Sequence, residues 1–158
     1  MWSAATVLVC ALDLLGRSAS SFPPIVLLDV RPPHVSPLAE AFVQADVDTI
    51  YLMTSSAVFQ KVQRAVSKCG DINAVRKIAS VLVHEEWHVL NGPDERSAYE
   101  AQLMTLTKLQ AGAGSPVYAG VLRAMPQTLE QQRNATSVTI APAAERPADT
   151  AAGGRRPR

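Results

Sequence analysis

The sequence predicts an α+β fold in which a small β-hairpin or sheet packs against several helices. Two short apolar runs, at residues 25–30 and 49–54, have the length of strands and are bounded by proline, aspartate or serine. Later stretches, from residue 56 to residue 132, repeat their apolar residues with helical spacing. The chain has 158 residues, 47% of them hydrophobic, which is sufficient for one domain with a core.

The composition gives no sign of a nucleic-acid or membrane partner, of a disulfide framework or of a cysteine metal site. The formal net charge is +1, so there is no overall charge signal for nucleic acid or for an acidic membrane surface. No apolar run is long enough for a stable membrane span. The two cysteines are too few for a disulfide framework, and they are not spaced as metal ligands.

Residues 1–21 have two interpretations. Their short apolar stretch, followed by small residues, resembles an export signal. However, no Lys or Arg precedes the apolar stretch, and Asp13 interrupts it. The leucines at positions 8, 12 and 15 follow helical spacing instead, and Gly16 is a typical helix end. The segment is therefore an N-terminal helix or an export signal, and the compartment is cytoplasmic or exported.

The strands are expected in the first third of the chain. Residues 25–30 form a short apolar run suited to a buried strand, and the following prolines require a loop that contains His34. Residues 41–44 and 49–54 flank a polar turn and are interpreted as a β-hairpin, although residues 38–44 are also compatible with a helix. The stretch 50–53 is the better strand, packed on a helix or offering an edge that pairs with an extended peptide.

The helices are expected in the remainder, each with a recognisable start or end. Ser55 or Ser56, Asp71 and Pro93 are typical of helix starts, and Gly70 and Gly92 follow helix ends. The predicted helices run from about residue 56 to Lys68, from Asp71 to Leu90, from Pro93 to Gln110, and over 117–132 as one or two helices broken near Pro126. Residues 22–133 are therefore assigned to one domain, and residues 134–158 to a disordered tail rich in Ala, Pro, Thr and Arg.

The segment His84-Glu85-Glu86-Trp87-His88 has the pattern H-E-x-x-H. On a helix, two histidines four residues apart lie on one face, where both can bind one Zn²⁺, and the glutamate after the first can reach a water on the metal. Trp87 and Glu86 fall on other faces, where Trp87 is expected to pack and Glu86 to be solvated. His34, in its loop, is expected to be solvated as well.

A catalytic zinc needs a third protein ligand, and the next helix is the nearest source. Its short connection predicts that it folds back as an antiparallel helical hairpin. Among its acids, Glu95 falls in the middle of the apolar face, whereas Glu100 lies well outside it and Asp94 at its edge. A buried carboxylate needs a partner, which a metal ion supplies, although Glu95 could also be a first-turn acid stabilised by the helix dipole.

Tyr99 lies one turn beyond Glu95 on the same face. Its hydroxyl can orient that carboxylate or hydrogen-bond a developing oxyanion. The simpler interpretation is a core tyrosine.

The pattern resembles that of the zincin metallopeptidases, and in particular the gluzincins. The residues that carry the resemblance are His84-Glu85-x-x-His88 followed by Glu95-Arg96-Ser97-Ala98-Tyr99, within residues 49–109. The resemblance implies a minimal single-domain zinc peptidase with His84, His88 and Glu95 as metal ligands and Glu85 as general base. It also implies an edge strand above the motif helix, for which residues 49–53 are the candidate.

The predicted function is therefore zinc-dependent, metalloendopeptidase-like hydrolysis of a peptide or protein substrate. Water activated by the metal attacks the peptide carbonyl, and Glu85 acts as general base. The alternative is a non-catalytic helical domain that binds a metal or another protein. A di-iron site is a poorer alternative because it needs a second E-x-x-H pair, and the chain has none.

Overall fold

The computed structural model describes residues 1–44 and 46–139, and for residues 136–139 it describes the backbone alone. These residues form five α-helices, one short 3₁₀ helix and a three-stranded mixed sheet, so the predicted α+β class is confirmed. The strands are β1 (Ile25–Leu28), β2 (Ala41–Val43) and β3 (Ile50–Met53). The helices are α1 (Ala4–Leu15), α2 (Ala57–Arg64), α3 (Ile72–Asn91), α4 (Glu95–Lys108) and α5 (Pro116–Thr139), and the 3₁₀ helix is Ala19–Ser21.

The first 21 residues, for which a helix or an export signal was expected, contain α1. Ser3 caps its start by accepting a hydrogen bond from the backbone N–H of Thr6. Gly16 ends it in the left-handed conformation, with φ at 65°, which a residue without a Cβ adopts at no steric cost. The buried side of α1 belongs to the main core and consists of Val7, Cys10, Ala11 and Leu12. The segment is therefore an integral part of the folded domain.

β3 lies in the middle of the sheet, with β1 on one side and β2 on the other. It pairs in parallel with β1 and antiparallel with β2. Residues 41–43 are thus a strand, and the alternative helix over 38–44 does not form. The prediction that residues 49–53 offer a free edge is wrong, because β1 and β2 occupy both sides of β3. The free edges of this sheet belong to β1 and β2.

Helix α2 begins as expected and ends early. Ser56 is its N-cap, and Phe59 and Val62 are buried. The helix stops at Arg64 rather than at the predicted Lys68, because the backbone of Ala65 is already extended. Val66, which lies within the predicted helix but outside the observed one, is fully exposed at 105% of its reference area. The helical spacing in the sequence continued past the point at which the chain turns towards α3.

A disulfide joins Cys10 of α1 to Cys69 in the α2–α3 connection. The two residues are 59 positions apart, and their Cα atoms are separated by 5.6 Å. No pattern in the sequence pairs them, because a spacing of this length carries no information on proximity in the fold. The bond ties the N-terminal helix to the chain just before α3 begins.

Helix α5 runs through Pro126 without a break, so the predicted interruption at this residue is wrong. Proline has no N–H to donate to the carbonyl of Leu122, but Leu122 is exposed, and water can hydrogen-bond that carbonyl. The helix also continues beyond residue 133, to Thr139, and residues 140–158 of the predicted tail lie outside the described residues. No helix among the described residues is both long and apolar enough to cross a membrane.

Helix α3 is the central element of the fold and carries the H-E-x-x-H pattern. It packs against α1, α2, α4, α5, β2 and β3. Asp71 caps its start by accepting a hydrogen bond from the N–H of Ala74, and Gly92 ends it with φ at 97°. Both boundaries agree with the predicted helix from Asp71 to Leu90 within a residue. The motif therefore lies in the last two turns of a helix that packs against six other elements of the fold.

We expect reduction of the disulfide to destabilise the domain. Breaking the bond removes a 59-residue constraint on the unfolded chain, which corresponds to about 4 kcal/mol of unfolding free energy in the loop-entropy description. Urea unfolding of the wild-type protein with and without a thiol reductant measures this difference. The double variant C10A/C69A is the control, because its midpoint should not respond to reductant. Equal midpoints for the oxidised and reduced wild-type protein would contradict the expectation.

Candidate metal centre

Helix α3 places both histidines of the motif on the side that faces α4. His84 is buried and His88 is half-buried, and their Nε2 atoms are 3.2 Å apart. The rings meet edge to face, with centroids separated by 4.9 Å. The spacing of four residues on a regular helix produces this arrangement, as the sequence predicted.

Glu95 is the first residue of α4 and faces the two imidazoles. Asp94 is the N-cap and orients this first turn by accepting hydrogen bonds from the N–H of Arg96 and the hydroxyl of Ser97. The buried residues of α4, namely Ala98, Gln102 and Leu106, follow Glu95 with helical spacing, so that its side chain lies on the inner face. The short α3–α4 turn and this capped first turn together bring the carboxylate to the motif.

The Glu95 carboxylate bridges the two histidines. Its Oε2 is 3.2 Å from Nε2 of His84, and its Oε1 is 3.5 Å from Nε2 of His88. One ligand atom from each of the three residues lies within 4.8 Å of the others, which makes the group capable of holding a metal ion. Three residues that the sequence singled out as ligands are thus brought together.

The donor atoms of the cluster are close together. Nε2 of His84 and Nε2 of His88 are 3.2 Å apart, and they contact different oxygens of Glu95, at 3.2 and 3.5 Å. With a single ligand atom from each residue, the three atoms lie within 4.8 Å of one another. Two ligand atoms bound to one tetrahedral ion at about 2.0–2.1 Å lie about 3.3–3.4 Å from each other, so binding of one ion requires adjustment of the Glu95 side chain.

The carbonyl of Gly92 determines which ring nitrogen of His88 can bind a metal ion. Nδ1 of His88 lies 2.8 Å from the carbonyl oxygen of Gly92, which only accepts hydrogen bonds. Nδ1 therefore carries the proton in the neutral ring, and Nε2 presents its lone pair to the cluster. Hydrogen bonds of this kind orient metal-binding histidines and raise their basicity.

His84 makes its polar contacts only through Nε2. Its Nδ1 is buried and has no hydrogen-bond partner within the described part of the chain. The ring also packs edge to face against Tyr99, with centroids 4.7 Å apart. Packing against α4 therefore fixes the plane of the imidazole and leaves Nε2 aimed at Glu95 and His88.

The cluster shifts the pKa of two of its members in opposite directions. Burial opposes ionisation of Glu95, but hydrogen bonds from His84 and His88 outweigh it and lower the pKa of Glu95 to about 2. Burial also opposes protonation of His88, and its hydrogen bonds to Glu95 and to the Gly92 carbonyl outweigh it and raise the pKa of His88. In the metal-free protein, the carboxylate and the imidazolium therefore stabilise each other.

Glu85 lies beside the cluster and is not part of the bridge. Its residue exposure is 8%, and its carboxylate makes no hydrogen bond or ion pair within the described residues. Burial raises the pKa of Glu85, and the opposing charges of His84 and His88 reduce this increase. A buried carboxylate with a raised pKa next to three potential ligands is suited to accepting and returning a proton.

Tyr99 is close to the cluster, but its hydroxyl points away from it. The hydroxyl is 2.9 Å from Oγ1 of Thr128 on α5 rather than in contact with Glu95, and the ring packs against the buried cluster of Leu106, Ala111 and Val121, which agrees with the simpler interpretation of a core tyrosine. Burial raises the pKa of this phenol, and the negative charges of Glu95, Glu40 and Glu85 add to the effect. Tyr99 acts as a packing partner of His84 and as a link between α4 and α5.

Glu86 is not solvated, which corrects the expectation for this residue. Its carboxylate accepts two hydrogen bonds of 2.7 Å from the guanidinium of Arg17, and 14% of its side chain is exposed. Arg17 also stacks on the ring of Phe22, at 3.6 Å from the centroid. The bidentate pair joins the segment after α1 to the motif helix, a contact that sequence spacing could not reveal because the residues are 69 positions apart.

The other sequence candidates lie outside the cluster. Asp94 is occupied as the N-cap, and Glu100 is exposed. His34 is exposed, as expected, and its ring contacts Phe42 on the sheet. Trp87 packs edge to face on the ring of His88, at 5.8 Å. The choice of Glu95 over the two neighbouring acids thus agrees with the geometry.

Two further residues that sequence reasoning missed hold α4 against α3. The amide of Gln102 donates a hydrogen bond of 3.2 Å to the hydroxyl of Ser80, and both side chains are buried. The available signal was the helical phase, because Gln102 falls on the same apolar face as Glu95. A buried amide with a buried partner fixes the relative register of two helices more specifically than apolar contacts do.

A pocket of about 490 Å³ lies between the start of α4 and the second half of α5, and none of His84, His88 and Glu95 is among its lining residues. Asp94 and Arg96, which flank Glu95 in sequence, line one side. The helix α5 supplies the opposite side with Met125, Pro126, Leu129, Gln132 and Arg133. The sequence did not indicate this pocket, because α5 was expected to break at one of the residues that line it.

Comparison with models of known protein families, with curated proteins and with solved structures finds no match for this chain.

We expect the metal-free protein to be most stable between about pH 4.5 and 6.5. Below this window the unfolded chain binds more protons than the folded one, because folded Glu95 titrates at about 2 and free glutamate near 4.5. This contribution is lost as the pH falls towards 2. Above the window, the contribution of His88 is lost as the pH rises through its raised pKa.

Urea unfolding across this pH range, after removal of metal with a chelator, measures the effect. Glu95→Gln should flatten the profile on both sides, because it removes the charge that faces His88. Glu100→Gln is the matched control, since Glu100 is an exposed glutamate on the same helix. An unchanged profile in the Glu95→Gln variant would show that the cluster is not coupled as described.

Proposed function

We propose that this protein is a zinc-dependent metallopeptidase of the gluzincin type. The observation that supports the proposal best is the convergence of His84, His88 and Glu95 on one point, with the buried Glu85 beside them. Two imidazoles and one carboxylate are the ligand set of such enzymes, which leave a fourth position open. The pattern in the sequence and the separations between the donor atoms support the same function independently.

We infer that α3 and α4 form an antiparallel hairpin around the ion. The contacts between the two helices support this arrangement, because His88 and His84 meet Glu95, whereas Ser80 meets Gln102. The later residues of α3 therefore contact the first residue of α4, and an earlier residue of α3 contacts a later residue of α4, as expected when the two helices run in opposite directions. The ligands then come from the last turns of α3 and the first turn of α4.

Zinc is the proposed metal because two imidazole nitrogens and one carboxylate oxygen form a donor set that zinc favours. When bound, it supplies Lewis acidity and lowers the pKa of coordinated water to about 7. Glu85 takes a proton from the attacking water as general base and returns it to the leaving amine as general acid. Tyr99 keeps the ring of His84 in place, and the Gly92 carbonyl does the same for His88.

The peptide substrate is proposed to add to the free edge of β2. This strand pairs with β3 through Phe42, so the backbone groups of Ala41 and Val43 point away from the sheet. Glu40, immediately before β2, forms an ion pair of 3.0 Å with Lys77 of α3, which fixes this edge relative to the motif helix. The edge that residues 49–53 were expected to supply is therefore assigned to residues 41–43.

The disulfide supports a compartment in which cysteines remain oxidised. Cys10 lies within α1, so loss of the first 21 residues would leave Cys69 without its partner. We therefore propose that the exported form, if there is one, retains this helix.

We expect one zinc ion per chain in the purified protein and loss of the ion in His84→Ala and His88→Ala. Each substitution removes one of three protein ligands, and a two-ligand site holds zinc weakly. Elemental analysis after dialysis measures the stoichiometry. Zinc absent from the wild-type protein, or retained in full by both variants, would contradict the proposal.

Glu85→Gln separates the peptidase from a non-catalytic metal-binding domain, which is the second candidate function. Because Glu85 is not a ligand, we expect the variant to keep its zinc and to lose peptide hydrolysis by a factor of about 10²–10⁴. A peptide-library digest on samples of known zinc content provides the measurement, and Glu100→Gln is the matched control. Turnover in Glu85→Gln equal to that of the wild type would exclude Glu85 as the general base.

A further inference from the structure

The residues that line the pocket are neighbours of the cluster in the chain. Glu95 lies between two of its lining residues, Asp94 and Arg96. On the opposite side, Thr128 lies between the lining residues Met125 and Leu129 and hydrogen-bonds Tyr99, whose ring contacts His84. One side of the pocket is therefore adjacent in sequence to a metal-ligand candidate, and the other is linked to one through Thr128 and Tyr99.

The rim of the pocket carries two arginines and one acid. Arg96 and Asp94 line it on the α4 side, and Arg133, which already has an interaction of its own, lines it on the α5 side. The carboxylate of Asp94 is already occupied by the N–H of Arg96 and the hydroxyl of Ser97. The guanidinium of Arg96, in contrast, makes no hydrogen bond or ion pair within the part of the chain that the structure describes. Arg96 is thus available to an anionic group that enters the pocket.

The wall formed by α5 is largely apolar. Met125, Pro126 and Leu129 supply it, one helical turn apart or less. The volume of about 490 Å³ exceeds that of one amino-acid side chain and lies in the range of pockets that take small ligands. A methylene chain can lie on this wall while its charged end reaches the rim.

We propose that this pocket selects a glutamate or aspartate side chain of the peptide substrate, close to the bond that is cleaved. The carboxylate pairs with Arg96, in the bidentate geometry that guanidinium groups favour, and the aliphatic part packs on Met125 and Leu129. We thereby assign a class of peptide substrate to the peptidase function proposed above, and the assignment rests on that function. It predicts that acidic peptides are preferred over neutral and basic ones.

Two measurements test the pocket. The first is cleavage of a mixed peptide library by the zinc-loaded protein, with the products sequenced by mass spectrometry. The second is fluorescence anisotropy of labelled alanine peptides that differ only in one central glutamate, glutamine or lysine. The binding measurement uses zinc-loaded Glu85→Gln, so that the peptides are not consumed.

We expect acidic residues to be enriched at one position near the cleaved bond, and the glutamate peptide to bind roughly tenfold more tightly than the glutamine peptide. Arg96→Gln should abolish this difference, and Arg96→Glu should shift the preference to lysine. Arg123→Glu is the matched control, because Arg123 is an exposed arginine of α5 that does not line the pocket. This control should retain the preference for glutamate.

Equal binding of the glutamate and glutamine peptides, or a preference that persists in Arg96→Gln, would overturn the assignment of the pocket. Cleavage of the library without acidic preference would overturn it as well, while leaving the peptidase proposal intact. Acid-selective binding that depends on Arg96 without any hydrolysis would support the pocket and refute the peptidase function.

Discussion

The structure of the candidate site depends on one half-buried carboxylate held between two imidazoles. Glu95 is drawn to the interface of α3 and α4 by the helix on which it lies, and an acid in that position requires a positive or metallic partner. His84 and His88 supply that partner in the metal-free state, at 3.2 and 3.5 Å. Each of the same three side chains also offers a ligand atom, and these atoms lie within 4.8 Å of one another. The same arrangement of these three side chains therefore stabilises the protein without metal and is capable of holding a metal ion.

The rest of the fold keeps the motif helix in place. Its N-terminal half is tied to the sheet by the pair of Lys77 with Glu40, and the motif itself is tied to the segment after α1 by the pair of Glu86 with Arg17. The disulfide connects that same N-terminal helix to the chain entering α3. Ligands on a helix that is fixed at several points are positioned more accurately than ligands on loops. This constraint explains why a chain of modest size can build such a site.

Helix α5 contacts α4 and the turn that precedes it, and it lines one side of the pocket. It receives the hydroxyl of Tyr99 through Thr128, and it forms the apolar wall of the pocket next to Glu95. The amide of Gln132 also donates a hydrogen bond of 2.5 Å to the carbonyl of Pro93, in the turn between α3 and α4. The element that was expected to be interrupted at Pro126 is thus one continuous helix that is hydrogen-bonded to α4 and to the turn before it.

The sequence by itself determined the elements whose signals are local. Helical spacing and the caps Asp71 and Gly92 predicted α3, and helical phase selected Glu95 from three acids, because these signals depend only on residues within a few turns. The tertiary structure alone decided the pairing of Cys10 with Cys69 and of Arg17 with Glu86, the central position of β3 and the direction of the Tyr99 hydroxyl. Each of these joins residues far apart in the chain, and their proximity follows from how whole elements pack, which no local pattern encodes.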